Sequence, residues 1–220
     1  MDKILDFGYS FLKGLFLSGS VYILGIILDN TICINSKNYL VENKPKIYNK
    51  GMYYAKTNLL VISPVIYSVI DHYILDHHKT FSIPHFITLI GIQNIGYYTI
   101  HREFHMNKNL YWIHKFHHCF DDVLIPSVGN AVSYYEFLIG YIFPITTGAF
   151  FTNCDEVTFL SAIGMTSLLN LLIHTNELNN TWWIPYLVSP TNHIIHHKKR
   201  KKHYAAPFLD LDKIKNILNP

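Results

Sequence analysis

Eight of the fourteen histidines in this 220-residue chain fall into three short clusters. They are His101-Arg-Glu-Phe-His105, His114-Lys-Phe-His117-His118 and His193-Ile-Ile-His196-His197. In an α-helix, residues three and four apart share a face, so the first cluster offers two imidazoles in a stripe and the other two offer three each. Imidazole nitrogen suits iron, zinc, copper or nickel, and the absence of paired thiolates speaks against a structural zinc knuckle. Eight such ligands exceed what one ion can use, so the spacing points to two metals. A stacked or solvated histidine face would explain one H-x-x-H-H; it is a poor account of two copies with an H-x-x-x-H beside them.

The elements that must carry these clusters are apolar helices. Half of the residues are hydrophobic and only 15% are charged, with a net charge of +3, a profile that points to a membrane rather than to a soluble domain of this size. A bilayer-crossing helix needs roughly 20 mainly apolar residues. Residues 9–28, 59–75, 84–100, 134–151 and 157–173 meet or approach that length, the last two being readable as a hairpin that crosses only in part. Gly14, Gly19 and Gly25 in the first run offer close helix contacts. The expected fold is therefore all-α: an integral membrane bundle of four to five spans with a histidine-rich helical cap. Residues 1–84 form N-terminal spans and a polar loop at 29–56, residues 85–212 the histidine-bearing domain, and residues 213–220 a tail. The apolar stretch after Lys3 is followed by no small-x-small cleavage signal and reads as a retained span. Cys33, Cys119 and Cys154 form no C-x-x-C pair and read as small hydrophobes, Cys119 included, although it follows His118 directly.

Topology tests the metal reading independently. The first two clusters follow the third span and the third cluster follows the fifth, two crossings later, so all three emerge on one side. His174, at the end of the fifth span, joins them and is the expected ninth ligand. Of eighteen Lys and Arg residues, only Lys3, Lys13 and Lys79 fall on the other side or at its edge, which places the histidine end in the cytoplasm. By the same parity His72, His77, His78 and His85 lie at the opposite face and cannot join the centre. The run Lys198-Lys-Arg-Lys-Lys202 fits either a headgroup-binding or a topology-setting segment, and nucleic-acid binding does not suit a chain with this many spans.

The boxes H-x-x-x-H, H-x-x-H-H and a later H-x-x-H-H, in that order over residues 85–212, resemble those of the fatty acid hydroxylase and sterol desaturase superfamily. The resemblance implies a membrane oxidoreductase of lipid biosynthesis. Its histidine-ligated di-iron centre uses dioxygen to hydroxylate or desaturate a C–H bond of a sterol or fatty acyl lipid. His174 resembles the isolated histidine that such proteins carry between their second and third boxes. Some fatty acid hydroxylases have another histidine one turn later; Leu178 stands there in this chain, leaving His203, Glu177, Asn176 or water for a tenth position. The expected metal set is His101, His105, His114, His117, His118, His174, His193, His196 and His197, with zinc able to replace iron on purification.

Groups expected to orient the imidazoles are Glu136, Asn170 and Asn176, with Glu103, Asp121 and Asp122 as further candidates. Glu136 sits where similar proteins often carry an acidic residue, although a carboxylate favoured by the helix dipole explains it equally well. With no dinucleotide fingerprint and no haem-attachment motif, electrons must come from an external donor of the cytochrome b5 or ferredoxin type. Tyr111, Phe116, Trp182 and Trp183 are positioned to form a lipid entrance. A substrate reaching it would present a carbon near its headgroup or sterol ring edge, and a sterol ranks slightly ahead of a fatty acyl lipid. An endoplasmic reticulum-like membrane suits a eukaryotic source. The competing class is a non-catalytic metal-binding membrane protein or transporter; transport places ligands near the bilayer midplane, where this chain has Ile, Leu, Phe, Gly and Tyr.

Overall fold

The computed structural model of the chain describes residues 2–121, 123–181 and 183–218, so that Asp122 and Trp182, singled out above, lie outside the described residues. Among these residues the secondary structure is helical, with no strand and a single antiparallel bridge between Leu187 and Leu209. Helix α1 (Asp2–Thr31) is followed by α2 (Ile34–Asn43) and α3 (Pro45–Thr57). The latter runs on through a π turn (Asn58–Ile62) into α4 (Ser63–Tyr73). Then come α5 (Ile83–Met106) and the short α6 (Tyr111–His114). A second interrupted helix is built from α7 (Tyr134–Glu136), a π turn (Phe137–Ile142) and α8 (Phe143–Thr152). Helices α9 (Glu156–Ile173), α10 (Pro190–Lys199) and α11 (Leu211–Leu218) complete the chain.

Helix therefore occupies all five apolar runs. Two segments, Asp6–Thr31 and Glu156–Ile173, are long and apolar enough to cross a membrane. On α1 the large side chains Leu12, Phe16 and Ile23 face outward, as do Ile87, Ile95, Phe143 and Phe150 on other helices. Many large apolar side chains exposed together are what a membrane or partner surface would cover.

Each π turn ends next to a proline, Pro64 or Pro144. Proline lacks a donor and its ring clashes with the carbonyl four residues earlier, so the widened turn is the local response. Two glycines let these prolines approach. A Cβ at Gly96 would stand 2.8 Å from Pro144, and one at Gly14 would stand 2.9 Å from Tyr67 and 3.1 Å from Pro64. Gly25 and Gly19 are less tight, at 3.4 and 3.8 Å.

Residues 29–56, expected as a polar loop with some helix, are largely helical. The reason is a buried face: Leu40, Gly51 and Ala55 turn inward, and a Cβ on Gly51 would meet the Phe120 ring at 2.5 Å. Leu40 packs with Phe120, Leu124, Val128 and Ala131 in one core cluster, while Tyr67, Ile70, Leu89, Ile145 and Phe159 form another at the far end of the bundle. Both clusters join residues from either side of position 85.

Candidate metal centre

Three structural elements and one helix end bring the histidines together. The last turns of α5 carry His101 and His105. The second box begins on α6 with His114 and then tightens into a 3-10 turn over His117–Cys119, where a continuous helix was expected. His174 caps the C-terminus of α9, and α10 carries His193, His196 and His197. The start of α10 is fixed by Ser189, whose side chain accepts from Asn192 N, and by Pro190 in its first turn.

The nine side chains sort into two groups, each with its ligand atoms within 4.8 Å of one another and each able to hold a metal ion. One is His101, His105, His114, His118 and His196; the other is His117, His174, His193 and His197. Each H-x-x-H-H box is divided between them. The first and last histidines, four residues apart and about 40° apart around a helix, turn to one group, while the middle one turns to the other. All are buried except His105, which is partly open.

The hydrogen bonds decide which nitrogens carry protons. His101 Nδ1 faces Tyr204 O at 2.7 Å, His174 Nδ1 faces Asn170 O at 2.7 Å and His196 Nδ1 faces Lys202 O at 2.9 Å. His197 Nδ1 faces Phe120 O at 3.1 Å, His118 Nδ1 faces His197 O at 3.4 Å and His114 Nδ1 faces Glu136 Oε1 at 2.6 Å. The five backbone oxygens only accept, so Nδ1 of those five rings must donate and Nε2 of each neutral ring keeps its lone pair; an ionised Glu136 does the same for His114. The Nε2 atoms then point at each other. His101 and His114, and His114 and His118, bring Nε2 atoms to 2.9 Å; His118 and His105 to 3.1 Å. In the second group His174 and His193 stand at 2.9 Å, His193 and His197 at 3.2 Å, and His117 and His174 at 3.4 Å. Nitrogens about 2.1 Å from one ion at tetrahedral or right angles lie about 3.0–3.4 Å apart. The spacing is thus that of ligands around a cation, and a hydrogen-bonded face, the bland alternative, would have to draw its protons from His105, His117 and His193, whose Nδ1 atoms have no hydrogen-bond partner. The buried Nε2 of His196, with no hydrogen-bond partner, fits the same reading.

Burial keeps these rings neutral. It pushes His174 down to about 4 against the opposing bond to Asn170 O, and with the Arg200 guanidinium it pushes His105 down to about 4. Burial, then His105, takes His196 down to about 3. Neutral imidazole is the form that binds a metal.

Two of the expected orienting residues touch the histidines. Glu136, 1% exposed, takes the His114 Nδ1 proton, held there by the Ser133 cap. Asn170 accepts from His174 through its backbone, while its Nδ2 donates to Gly129 O at 3.1 Å. Gly129 was not foreseen: a Cβ there would stand 3.0 Å from both His174 Nδ1 and Asn170 Nδ2, so only glycine fits without displacing them. Asn176 lies in the 3-10 turn after His174 and carries no bond to either group. Glu103 pairs with Arg102, and Asp121 pairs with Lys44 and Arg200. Of the groups considered for a tenth position, Glu177 accepts from Ser36 Oγ at 2.5 Å, and neither it nor His203 belongs to a histidine group. Cys119 is free and its Sγ faces Lys115 O.

His77, at the opposite end, bonds to Asp71 O at 2.9 Å and shares a separate cluster with Asp71 and Glu156. Of the proposed entrance, Tyr111 accepts from Arg200 at 3.3 Å and its ring lies 6.0 Å from His105. Phe116 packs edge-on against Tyr54 and Phe120, and Trp183 is half-buried.

Comparison with known proteins adds one match. A family model described as fatty acid hydroxylase matches residues 86–216, more than half of the chain. No curated protein and no solved structure matches.

Proposed function

Because this chain belongs to the fatty acid hydroxylase family, we propose that it is a membrane-bound di-iron oxidoreductase that hydroxylates or desaturates a C–H bond of a sterol or fatty acyl lipid. The observation that carries this reading is the pair of buried histidine groups whose Nε2 atoms face one another at cation-ligand distances. His101, His105, His114, His118 and His196 hold one ion, and His117, His174, His193 and His197 hold the other. Two iron ions there supply the activation of dioxygen and the removal of hydrogen from the lipid.

The chain's own contribution is positional and electrostatic. Backbone carbonyls fix the tautomer and direction of five rings, and Glu136, ionised once cations are bound beside it, does so for His114 and adds the negative charge that imidazoles lack. Burial excludes bulk water from all but the His105 side of the centre. The two groups are unequal: the four-histidine group has fewer protein ligands, and an ion held there would have more coordination positions left for exogenous partners.

In this reading the bundle has four to five spans, with the 85–212 domain presenting the histidine end to the cytoplasm. Fifteen of the eighteen Lys and Arg residues belong to that side by sequence parity. Partly open His105, beside Arg200, faces an external electron donor of the cytochrome b5 or ferredoxin type. Zinc takes the same ligands if iron is lost. The test is mass spectrometry of total lipids from cells expressing the protein or its His196→Ala variant. A new hydroxyl or double bond that needs His196 is the expected result; a change confined to water-soluble metabolites would overturn the lipid assignment.

A further inference from the structure

The turn at Pro126–Asn130 lies against the four-histidine group. Gly129 O accepts from Asn170 Nδ2 at 3.1 Å and from the Tyr141 hydroxyl at 3.3 Å, and Asn170 O in turn takes the His174 Nδ1 proton. A turn of five residues cannot fix its own place. Its N-cap is Ile125, which has no side-chain acceptor, and Pro126 has no N–H, so the first backbone donor in need of a partner is Ser127 N. Asp29, near the end of α1, accepts from it through Oδ1 at 3.1 Å, and α1 runs so close that a Cβ at Gly25 would touch Ser127 Cα at 3.4 Å. The far end of the turn is held in the same way. Asn58, which opens the first π turn, donates through Nδ2 to Asn130 O at 3.2 Å and to Val132 O at 3.0 Å.

Asp29 and Asn58 are fully buried, and so are the residues that they hold. Water cannot take over these bonds, so the place of the turn follows from where α1 and the π turn put the two side chains. Asp29 Oδ2 and Asn58 Oδ1 are without a partner, so among the described residues the side-chain hydrogen bonds of both go to this turn alone. The five-histidine group stands apart from the arrangement. His101, His114, His118 and His196 take their orienting bonds from Tyr204, Glu136, His197 and Lys202.

We infer that Asp29 and Asn58 are positioning residues for the four-histidine group: by clamping the Pro126–Asn130 turn they set Gly129, through it Asn170, and so the direction of the His174 ring. This rests on the two-ion reading above and deepens it. The tolerance is small, since a Cβ on Gly129 would already stand 3.0 Å from His174 Nδ1, while His174 Nε2 faces His193 Nε2 at 2.9 Å. A turn that moves toward α9 presses on the ring, and one that moves away releases the Asn170 amide. Both residues precede the matched region 86–216, so the N-terminal helices complete a centre whose histidines all lie within that region.

The experiment takes cobalt-loaded, full-length protein in lipid nanodiscs and strips it with a graded series of chelators. The visible absorption of cobalt(II) distinguishes an ion with four nitrogen ligands from one with five. Asp29→Asn keeps the acceptor in place and loses the charge, Asp29→Glu keeps the charge and carries the acceptor one methylene further, and Asn58→Ala removes both donated bonds. Asp29→Glu and Asn58→Ala should each weaken the four-histidine ion about tenfold and leave the other within about twofold. Asp29→Asn should stay within about threefold of wild type at both. Hydrogen exchange over residues 126–132 should speed up in the first two variants and not in the third. Combined with His117→Ala, neither Asp29→Glu nor Asn58→Ala should weaken the remaining ion further.

Equal weakening of both ions would mean a general loosening of the fold and would overturn the inference, as would unchanged affinities in Asp29→Glu and Asn58→Ala. If Asp29→Asn proves as damaging as Asp29→Glu, charge and not position is at work, and the inference fails. Asn58→Ala and Asp29→Asn decide the matter even if Asp29→Glu does not fold. Cobalt release requires no turnover, so the readings separate. A wild-type chain that holds one ion removes the two-ion reading and the inference with it, whereas two ions indifferent to both clamps remove the inference alone.

Discussion

Glu136 is the carboxylate that touches the histidine centre, and replacing it offers a graded test. Its Oε1 stands 2.6 Å from His114 Nδ1, both side chains are 1% exposed or less, and its other oxygen is buried without a partner. A buried hydrogen bond to a charged acceptor contributes about 1.5–3 kcal/mol, against about 1 kcal/mol for a neutral one. With cations bound and Glu136 ionised, Glu136→Gln keeps an acceptor and loses the charge, a difference of about 0.5–2 kcal/mol or about 2–30-fold in affinity. Glu136→Leu also removes the acceptor, and the loss grows to about 100-fold, the upper range for a residue that orients a metal ligand. Because His114 belongs to the five-histidine group, the loss should fall on one of two ions. Competition with a graded series of chelators, using zinc and the full-length protein, reads the two affinities separately. Unchanged affinities in Glu136→Leu, or selective loss of the ion held by His117, His174, His193 and His197, would refute the reasoning.

Three further outcomes follow from the same geometry. Gly129→Ala should strike the other group, since its methyl lies 3.0 Å from both His174 Nδ1 and Asn170 Nδ2 and each is pinned by its own hydrogen bond; a cost of about 1–3 kcal/mol should appear as a lower melting temperature and the loss of one ion. With His105 and His174 pushed down to about 4 and His196 to about 3, the unfolded chain binds protons more readily than the folded one below pH about 6.5. The metal-free protein should therefore lose stability as pH falls from about 6.5 toward 4, and this source should contribute no change above that window. Metal affinity of the folded protein should stay flat to about pH 5, and a decline centred on 6.5, the solvated-imidazole value, would show that the rings are not shielded. His117→Ala and His196→Ala should each abolish turnover while His77→Ala leaves it intact, because His77 belongs to the cluster at the opposite end; equal loss in all three would mean the site is elsewhere.

The clustering of histidines was legible because helical periodicity is a local property, and so were the apolar runs that became helices. The division of each H-x-x-H-H box between two groups was not. It depends on where α5, α9 and α10 stand relative to one another, which the local spacing does not encode. The helical content of residues 29–56 was hidden because their inward face uses Gly51 and Ala55, residues too small to mark a hydrophobic stripe. Gly129 had no sequence signal either; its importance comes from an approach by α9, forty residues later. Phe116 was expected to line an entrance on the strength of its position between histidines, yet it packs against Tyr54 and Phe120.

The most direct measurement is the metal content of full-length protein purified without oxygen from iron-replete cells, taken together with that of His196→Ala and His117→Ala. Two irons per wild-type chain are expected, with a weakened first site in His196→Ala and a weakened second site in His117→Ala. Fewer than one metal per wild-type chain, or two variants that lose the same single ion, would contradict a centre built from two histidine groups.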